Sequence, residues 1–318
     1  MNTIRRPGPI ALLTAFALLA TLGGCAYEDD SLAPGLPPDQ VRPSPAPATP
    51  LVIEESDIVK LKGDRLYVQN PQRGLAVVDV ADPHHPRLLG QGGAQGQAGE
   101  LYVRDHTALV LLDTPSASCL GLRVPDAAWN PASELALVDV SNPHAPTQVA
   151  GYCLPGKVIA SRLIGHFLYV ITSDADAGQS VVFSIDIACP TSARIVQTLT
   201  LPGDGHEIHM TDALLFVATK AGADCSTGWC HYEAGTKVHL VSLSAETGTL
   251  RRRGAVVLPG EPQGRFHMSA KGQTFRIVTY NSQARHSLLS IIDLEDLDAP
   301  MISGQVAIGC GEKLYATR

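Results

Sequence analysis

Residues 74–86 read GLAVVDVADPHHP, and residues 134–146 read ELALVDVSNPHAP. Looser copies follow at Val182–Pro190 (VFSIDIACP), Lys237–Glu246 (KVHLVSLSAE) and Leu289–Pro300 (LSIIDLEDLDAP). A short apolar run meets an Asp, and in four of the five copies a proline-bearing turn follows. Repetition at tens of residues governs architecture before any single motif does.

Around each copy the same companions recur. One loop earlier stands a strand-like run: Arg65–Val68, Ala108–Val110, Leu168–Val170, Leu215–Val217 and Phe275–Ile277. Before that lies another: Ser56–Leu61, Glu100–Arg104, Val158–Leu163, Glu207–Met210 and Arg265–Ser269. A fourth follows each copy: Arg87–Gly90, Thr147–Tyr152, Arg194–Leu201, Leu250–Leu258 and Pro300–Val306. Turn signals such as Gly63-Asp64, Pro155-Gly156, Pro202-Gly203 and Pro259-Gly260 separate them. Four short strands per unit, repeated radially, describe the blades of an all-β propeller. The apolar runs Leu75–Val80 and Leu135–Val140 are near-continuous, as burial on both faces requires. The expectation is five four-stranded blades plus one extra strand, an incomplete ring. Asp79, Asp139, Asp186 and Asp293 share one place in the repeat, with Ser242 replacing them in the fourth unit. They read as turn formers whose side-chain oxygens cap a bend; a carboxylate ring around a cation is the alternative.

Residues 1–24 read as an export signal. Arg5 and Arg6 precede the apolar stretch Ile10–Leu22, and Gly23-Gly24 precede Cys25. The apolar stretch is shorter than the ~20 residues of a membrane span. The arrangement resembles a bacterial lipoprotein signal, which implies lipidation at Cys25 and anchoring to the cell envelope. By resemblance to enterobacterial sorting, Ala26 after the cysteine, where an Asp is lacking, implies the outer membrane. Residues 25–53 contain Pro34, Pro37, Pro38, Pro43, Pro45, Pro47 and Pro50 and read as an extended tether. Residues 54–318 form the propeller.

Net charge is −7 and 45% of residues are hydrophobic. That composition supports a large core and offers no basic footprint for nucleic acid. Besides Cys25 there are Cys119, Cys153, Cys189, Cys225, Cys230 and Cys310. An even count in an exported protein points to disulfides. Cys225–Cys230 is the local pair. Cys119–Cys153 would tie two loops of one unit, and Cys189–Cys310 remains by elimination.

Residues Glu54–Arg318 resemble a bacterial family of secreted β-propellers distantly related to WD repeats. The resemblance rests on ESDIVKLKGDRLYV, on Gly264–Ser269 with Phe275–Thr279, and on Gly311–Arg318. It implies an exported or lipid-anchored protein and supplies no catalytic residues. It also implies that GEKLYATR opens a further blade, so the chain is expected to be a fragment of a longer propeller; the alternative is that this strand pairs with the first blade and helps close the ring.

Other constellations are weaker. His206-Glu207-Ile208-His209 places its histidines three apart on a strand, facing opposite sides, unlike the helical zinc-protease pair. Cys225, Cys230 and His231, with Asp224 and His239, suit zinc chemically, but oxidation to a disulfide takes precedence. Asp174 and Asp176 in Asp-x-Asp-x-Gly-x-Ser mark a calcium loop lacking its bidentate acid. His84, His85 and His144 read as solvated turn residues. No nucleophile elbow, phosphate loop or zinc-protease helix is found.

The functional expectation is a membrane-anchored binding or scaffold module for a protein or glycan, without catalysis or cofactor. The loops Pro115–Pro131 and Ala221–Thr236 would supply recognition, with Trp129, Trp229 and Tyr232 as contacts. The alternative is a propeller hydrolase or lyase. It predicts ionisable residues with shifted pKa values converging on the central channel, whereas the binding reading predicts an apolar or aromatic rim. A non-functional remnant is a third possibility.

Overall fold

A computed structural model describes residues 53–55, 57–116, 120–121, 131–189, 193–221, 235–309 and 314. Residues Pro47–Arg318 form one compact unit. The described residues build five antiparallel sheets. After a short strand β1 (Ile53–Glu55), blade 1 comprises β2 (Val59–Lys62), β3 (Arg65–Asn70), β4 (Gly74–Asp79) and β5 (Arg87–Gly92). Blade 2 comprises β6 (Ala98–Arg104), β7 (Thr107–Leu112), β8 (Leu120–Gly121), β9 (Pro131–Asp139) and β10 (Thr147–Pro155). Blade 3 runs through β11 (Lys157–Ile164), β12 (Phe167–Asp174), β13 (Gln179–Asp186) and β14 (Arg194–Pro202). Blade 4 runs through β15 (Gly205–Met210), β16 (Leu214–Lys220), β17 (Gly235–Leu243) and β18 (Leu250–Pro259). Blade 5 runs through β19 (Met268–Lys271), β20 (Thr274–Asn281), β21 (His286–Asp293) and β22 (Met301–Ile308).

The all-β propeller architecture is therefore present, with the four-strand units where the repeat put them. Two details differ from expectation. Residues Arg265–His267 form a 3-10 turn rather than the start of a strand. Gln263 N donates to His267 Nδ1 at 3.0 Å, closing that turn locally. Within the loop of blade 2, β8 adds a parallel edge to β10, pairing Leu120 with Tyr152.

The repeat's Asp is a turn residue. Oδ1 of Asp79, Asp139, Asp186 and Asp293 accepts from the backbone N of Ala81, Ser141, Ala188 and Glu295 at 3.1, 2.8, 2.9 and 2.9 Å. A second bend follows in three blades, where Asp82, Asn142 and Asp296 accept from His84, His144 and Asp298 N. Proline and side-chain acceptors together fix the bend.

These turns grip the preceding blade. His144 Nδ1 meets Leu89 O of blade 1 at 3.0 Å. Gly254 N of blade 4 donates to Leu297 O at 2.8 Å, and Arg253 pairs with Asp298 at 2.7 Å. Glycine makes room for this contact: a Cβ on Gly90 would lie 2.4 Å from His144 O, and one on Gly254 2.4 Å from Pro300 Cδ. Gly304 holds the same place in blade 5 and would meet nothing within 4 Å.

Four apolar clusters fill the seams between successive blades, from blades 1 and 2 to blades 4 and 5. In the last seam Phe216 stacks on Phe275 at 4.1 Å. No such cluster joins blade 5 to blade 1 among the described residues, and no closed ring is found there. Accordingly Val59, Leu61 and Leu88 of blade 1, and Met301, Ile302 and Val306 of blade 5, are exposed.

Candidate functional site

The first strands of the blades gather side by side: β2 contacts β6, β6 contacts β11, β11 contacts β15, and β15 contacts β19. Strand β1 enters this hub. It pairs antiparallel with the free edge of β11, with Ile53 opposite Ile164 and Glu55 opposite Arg162. Asp57 then bridges to Leu101 of β6.

Beside it lies a cavity of about 250 Å³ lined by Glu100, Ile159, Ala160, Arg162, His206, Glu207, Ile208 and Arg265. Its residues come from the first strands of blades 2, 3 and 4 and from the 3-10 turn of blade 5. The local geometry is repeated: register shifts fall between Ala98 and Glu100, Val158 and Ala160, and Gly205 and Glu207. Bulges re-aim side chains and concentrate near binding sites, and here the residue after each one lines the cavity.

Glu100 accepts a short hydrogen bond from Ser161 Oγ, whose oxygen is 2.9 Å from the Tyr102 hydroxyl. Arg162 is 6% exposed, and its Nη1 donates to Ser161 O at 2.7 Å. Burial pushes the Glu207 carboxyl above its ordinary range, against the opposing pull of Arg162 and Arg265. Burial also holds His206 below the ordinary imidazole value, against the carboxylates of Glu261 and Asp204. Both ring nitrogens of His206 are buried without a hydrogen-bond partner. Behind it, burial would raise Asp204, but bonds from Ser173 and from Lys220 at 2.9 Å outweigh that and hold it low.

The hub thus carries the convergence of ionisable groups that the sequence analysis tied to its enzymatic alternative. Glu207 and His206 were read there only as part of a failed zinc motif. The structure separates them from His209, whose Nε2 accepts from Ala270 N at 3.2 Å on the blade 4–5 seam. Glu100, Arg162 and Arg265 were not singled out at all. A second cleft, of about 220 Å³, lies by Arg104, Asp105 and His166, but core residues Leu109 and Leu137 line it and it belongs to the blade 2–3 seam.

The loop contacts Trp129, Trp229 and Tyr232 lie outside the described residues, as do Cys25, Cys119, Cys225, Cys230 and Cys310. Cys153 stands in β10 and Cys189 in the turn after β13. Asp174 and Asp176 are exposed at a hairpin, where Asp174 Oδ1 accepts from Ala177 N at 3.0 Å. No group of three or more His, Cys, Asp or Glu side chains is arranged to hold a metal ion among the described residues. No helix among them is long and apolar enough to cross a membrane.

No curated protein matches this chain. Among solved structures, the crystal structure of the Saccharomyces cerevisiae Sqt1 is similar with a TM-score of 0.36 and 8% identity, over 78% of this chain and 72% of that one. A family model described as a beta propeller domain matches residues 51–180 and 173–318, which together span the folded unit. The chain belongs to the beta propeller domain family.

Proposed function

We propose that this protein is an envelope-anchored binding module that captures a small polar ligand at its hub. The observation that carries this reading is the shared cavity of Glu100, Arg162, His206, Glu207 and Arg265, with two apolar walls, Ile159 and Ile208. Concave sites with a few convergent polar groups on an apolar lining are where ligands bind. The loop residues Trp129, Trp229 and Tyr232, which lie outside the described residues, are proposed as further contacts beside the polar hub. Lipidation at Cys25 and the proline-rich segment would hold the module at the outer membrane. Isothermal titration of the secreted, Cys25-free chain against panels of saccharides and peptides tests the reading. Binding that is lost in a cavity variant such as Glu100→Gln supports it, and binding untouched by that variant refutes it. Labelling with radioactive palmitate, lost in Cys25→Ser, tests the anchor.

A second reading is favoured by the raised Glu207 carboxyl, which lines the same cavity as Glu100. A pair of carboxyl groups, one biased toward its protonated form, is the arrangement by which hydrolases cleave glycosidic bonds. Release of reducing sugar from a polysaccharide, abolished by Glu207→Gln while ligand binding persists, would establish catalysis.

A further inference from the structure

Arg162 is the side chain whose situation demands an explanation. It is 6% exposed, so its charge is removed from water. Its hydrogen bond is to the carbonyl of the residue before it. No carboxylate oxygen among the described side chains, which do not include that of Glu55, lies within ion-pair distance of it. A guanidinium has five donors and does not titrate away. A buried charge is strongly unfavourable unless paired and hydrogen-bonded. Arg162 nevertheless lines the hub cavity, and Arg265 lies at the same cavity, exposed and likewise without an ion pair among the described residues.

The remaining lining narrows the ligand. Glu100 and Glu207 offer carboxylate oxygens, and His206 offers two buried, unpartnered ring nitrogens. Such groups bind hydroxyls, as acceptors or as a donor–acceptor pair. Ile159, Ala160 and Ile208 supply an apolar wall. Two guanidinia balance two carboxylates, so a doubly charged phosphate would face excess negative charge, whereas a single carboxylate adds one. The cavity, about 250 Å³, falls just below the ~300–1,000 Å³ of drug-sized sites, so it suits one sugar ring.

Resting on the reading of this cavity as the ligand site, we propose that Arg162 and Arg265 hold the carboxylate of a sugar acid while His206, Glu207 and Glu100 hold its hydroxyls. Planar, two-pronged pairing of guanidinium with carboxylate supplies both strength and orientation. The raised Glu207 agrees with this arrangement, since an anion beside it is tolerated best when that carboxyl is protonated.

The test is isothermal titration of the full exported chain with glucuronate and galacturonate, against glucose, galactose and inorganic phosphate. The uronates are expected to bind at least ~10-fold tighter than their uncharged counterparts, and phosphate not measurably. Arg162→Gln should remove that preference. Because a change at a buried site can also unfold the protein, Glu207→Gln provides the complementary arm. By removing a negative charge beside the bound carboxylate it should raise the preference for uronates over glucose and galactose, and an unchanged preference would overturn the proposal. An oligogalacturonide binding tighter than galacturonate would make a polymer the source of the sugar acid, and equal affinity the free monomer; both support the proposal. Uncharged sugars binding as well as uronates, with Arg162→Gln without effect, would overturn the proposal yet leave the ligand site standing. Failure of every sugar to bind a folded protein would overturn both. Strong coupling of Arg162→Gln with Glu55→Gln in stability, with no uronate response, would assign the guanidinium to β1 and also overturn it.

Discussion

Replacing Gly90 by Ala adds one methyl group at a place where the next blade's turn presses in. Its Cβ would lie 2.4 Å from His144 O, 2.5 Å from His144 C and 2.6 Å from Pro143 O. All three atoms are backbone and cannot rotate aside, so blade 2 must retreat. Forced overpacking of this kind costs roughly 1–3 kcal/mol. Gly304→Ala adds the same methyl at the matching position of blade 5, where nothing lies within 4 Å. There the reduced freedom of the unfolded chain should stabilise by about 0.4–1 kcal/mol. For a domain of this size, each kcal/mol moves Tm by ~2–4 °C. Thermal unfolding of purified protein, followed by circular dichroism, should therefore fall by ~2–12 °C for G90A and hold or rise slightly for G304A. The inference is that no described residue covers the outer strand of blade 5 at Gly304. Equal losses for the two variants would refute it, because something would then cover Gly304 in solution.

Other outcomes follow from the turns, the core and the cysteines. Asp139→Ala should cost about 1 kcal/mol, Asp139→Asn much less, since an amide oxygen can accept from Ser141 N; urea midpoints unaffected by calcium would separate this from a cation ring. His239 is buried, and burial lowers its pKa from 6.5 to about 4. The folded state disfavours its charged form, so stability is fully present above pH 6.5 and declines as pH falls toward 4, by about 2–3 kcal/mol. Urea unfolding across that window should show the decline, and His239→Gln should flatten it. Non-reducing peptide mapping should find Cys153 and Cys189 in disulfides, with Cys119 and Cys310 as the expected partners. A hydroxyl at the start of β13 also bears load: Ser180 Oγ donates to Gly203 O and accepts from Gly205 N, each at 2.8 Å. Ser180→Ala should cost about 1–3 kcal/mol by leaving those groups unsatisfied, read from the urea midpoint.

The blades were legible because their constraints are local. An apolar run, an Asp and a proline turn are read within a dozen residues, and Asp79, Asp139, Asp186 and Asp293 cap the bends their spacing implied. The hub was not legible. Glu100, Arg162 and Glu207 are separated by 62 and 45 positions and converge only once three blades have stacked. The faint signal was ionisable residues within otherwise apolar first strands. Buried hydroxyls such as Ser133, Ser180 and Thr236 were missed for a related reason. Each donates to the carbonyl of a turn glycine, Gly156, Gly203 or Gly260, beyond the fourth strand of its own blade. Those glycines have φ of 68°, 100° and 77°, which is why Pro-Gly marks the crossing from one blade to the next.

The placement of β1 has a mechanical consequence. Three residues, Ile53–Glu55, form the ladder by which the leading end of the folded unit is fastened, and the neighbouring bridge at Asp57 reaches a different blade. Tension applied from the amino-terminal side is borne first by those few bonds, loaded in shear along β11, before any outer strand feels it. Because Glu55 is registered with Arg162, the same tug is delivered to the wall of the hub chamber, so a pull on the leading end and the shape of the cavity are coupled through a single strand edge.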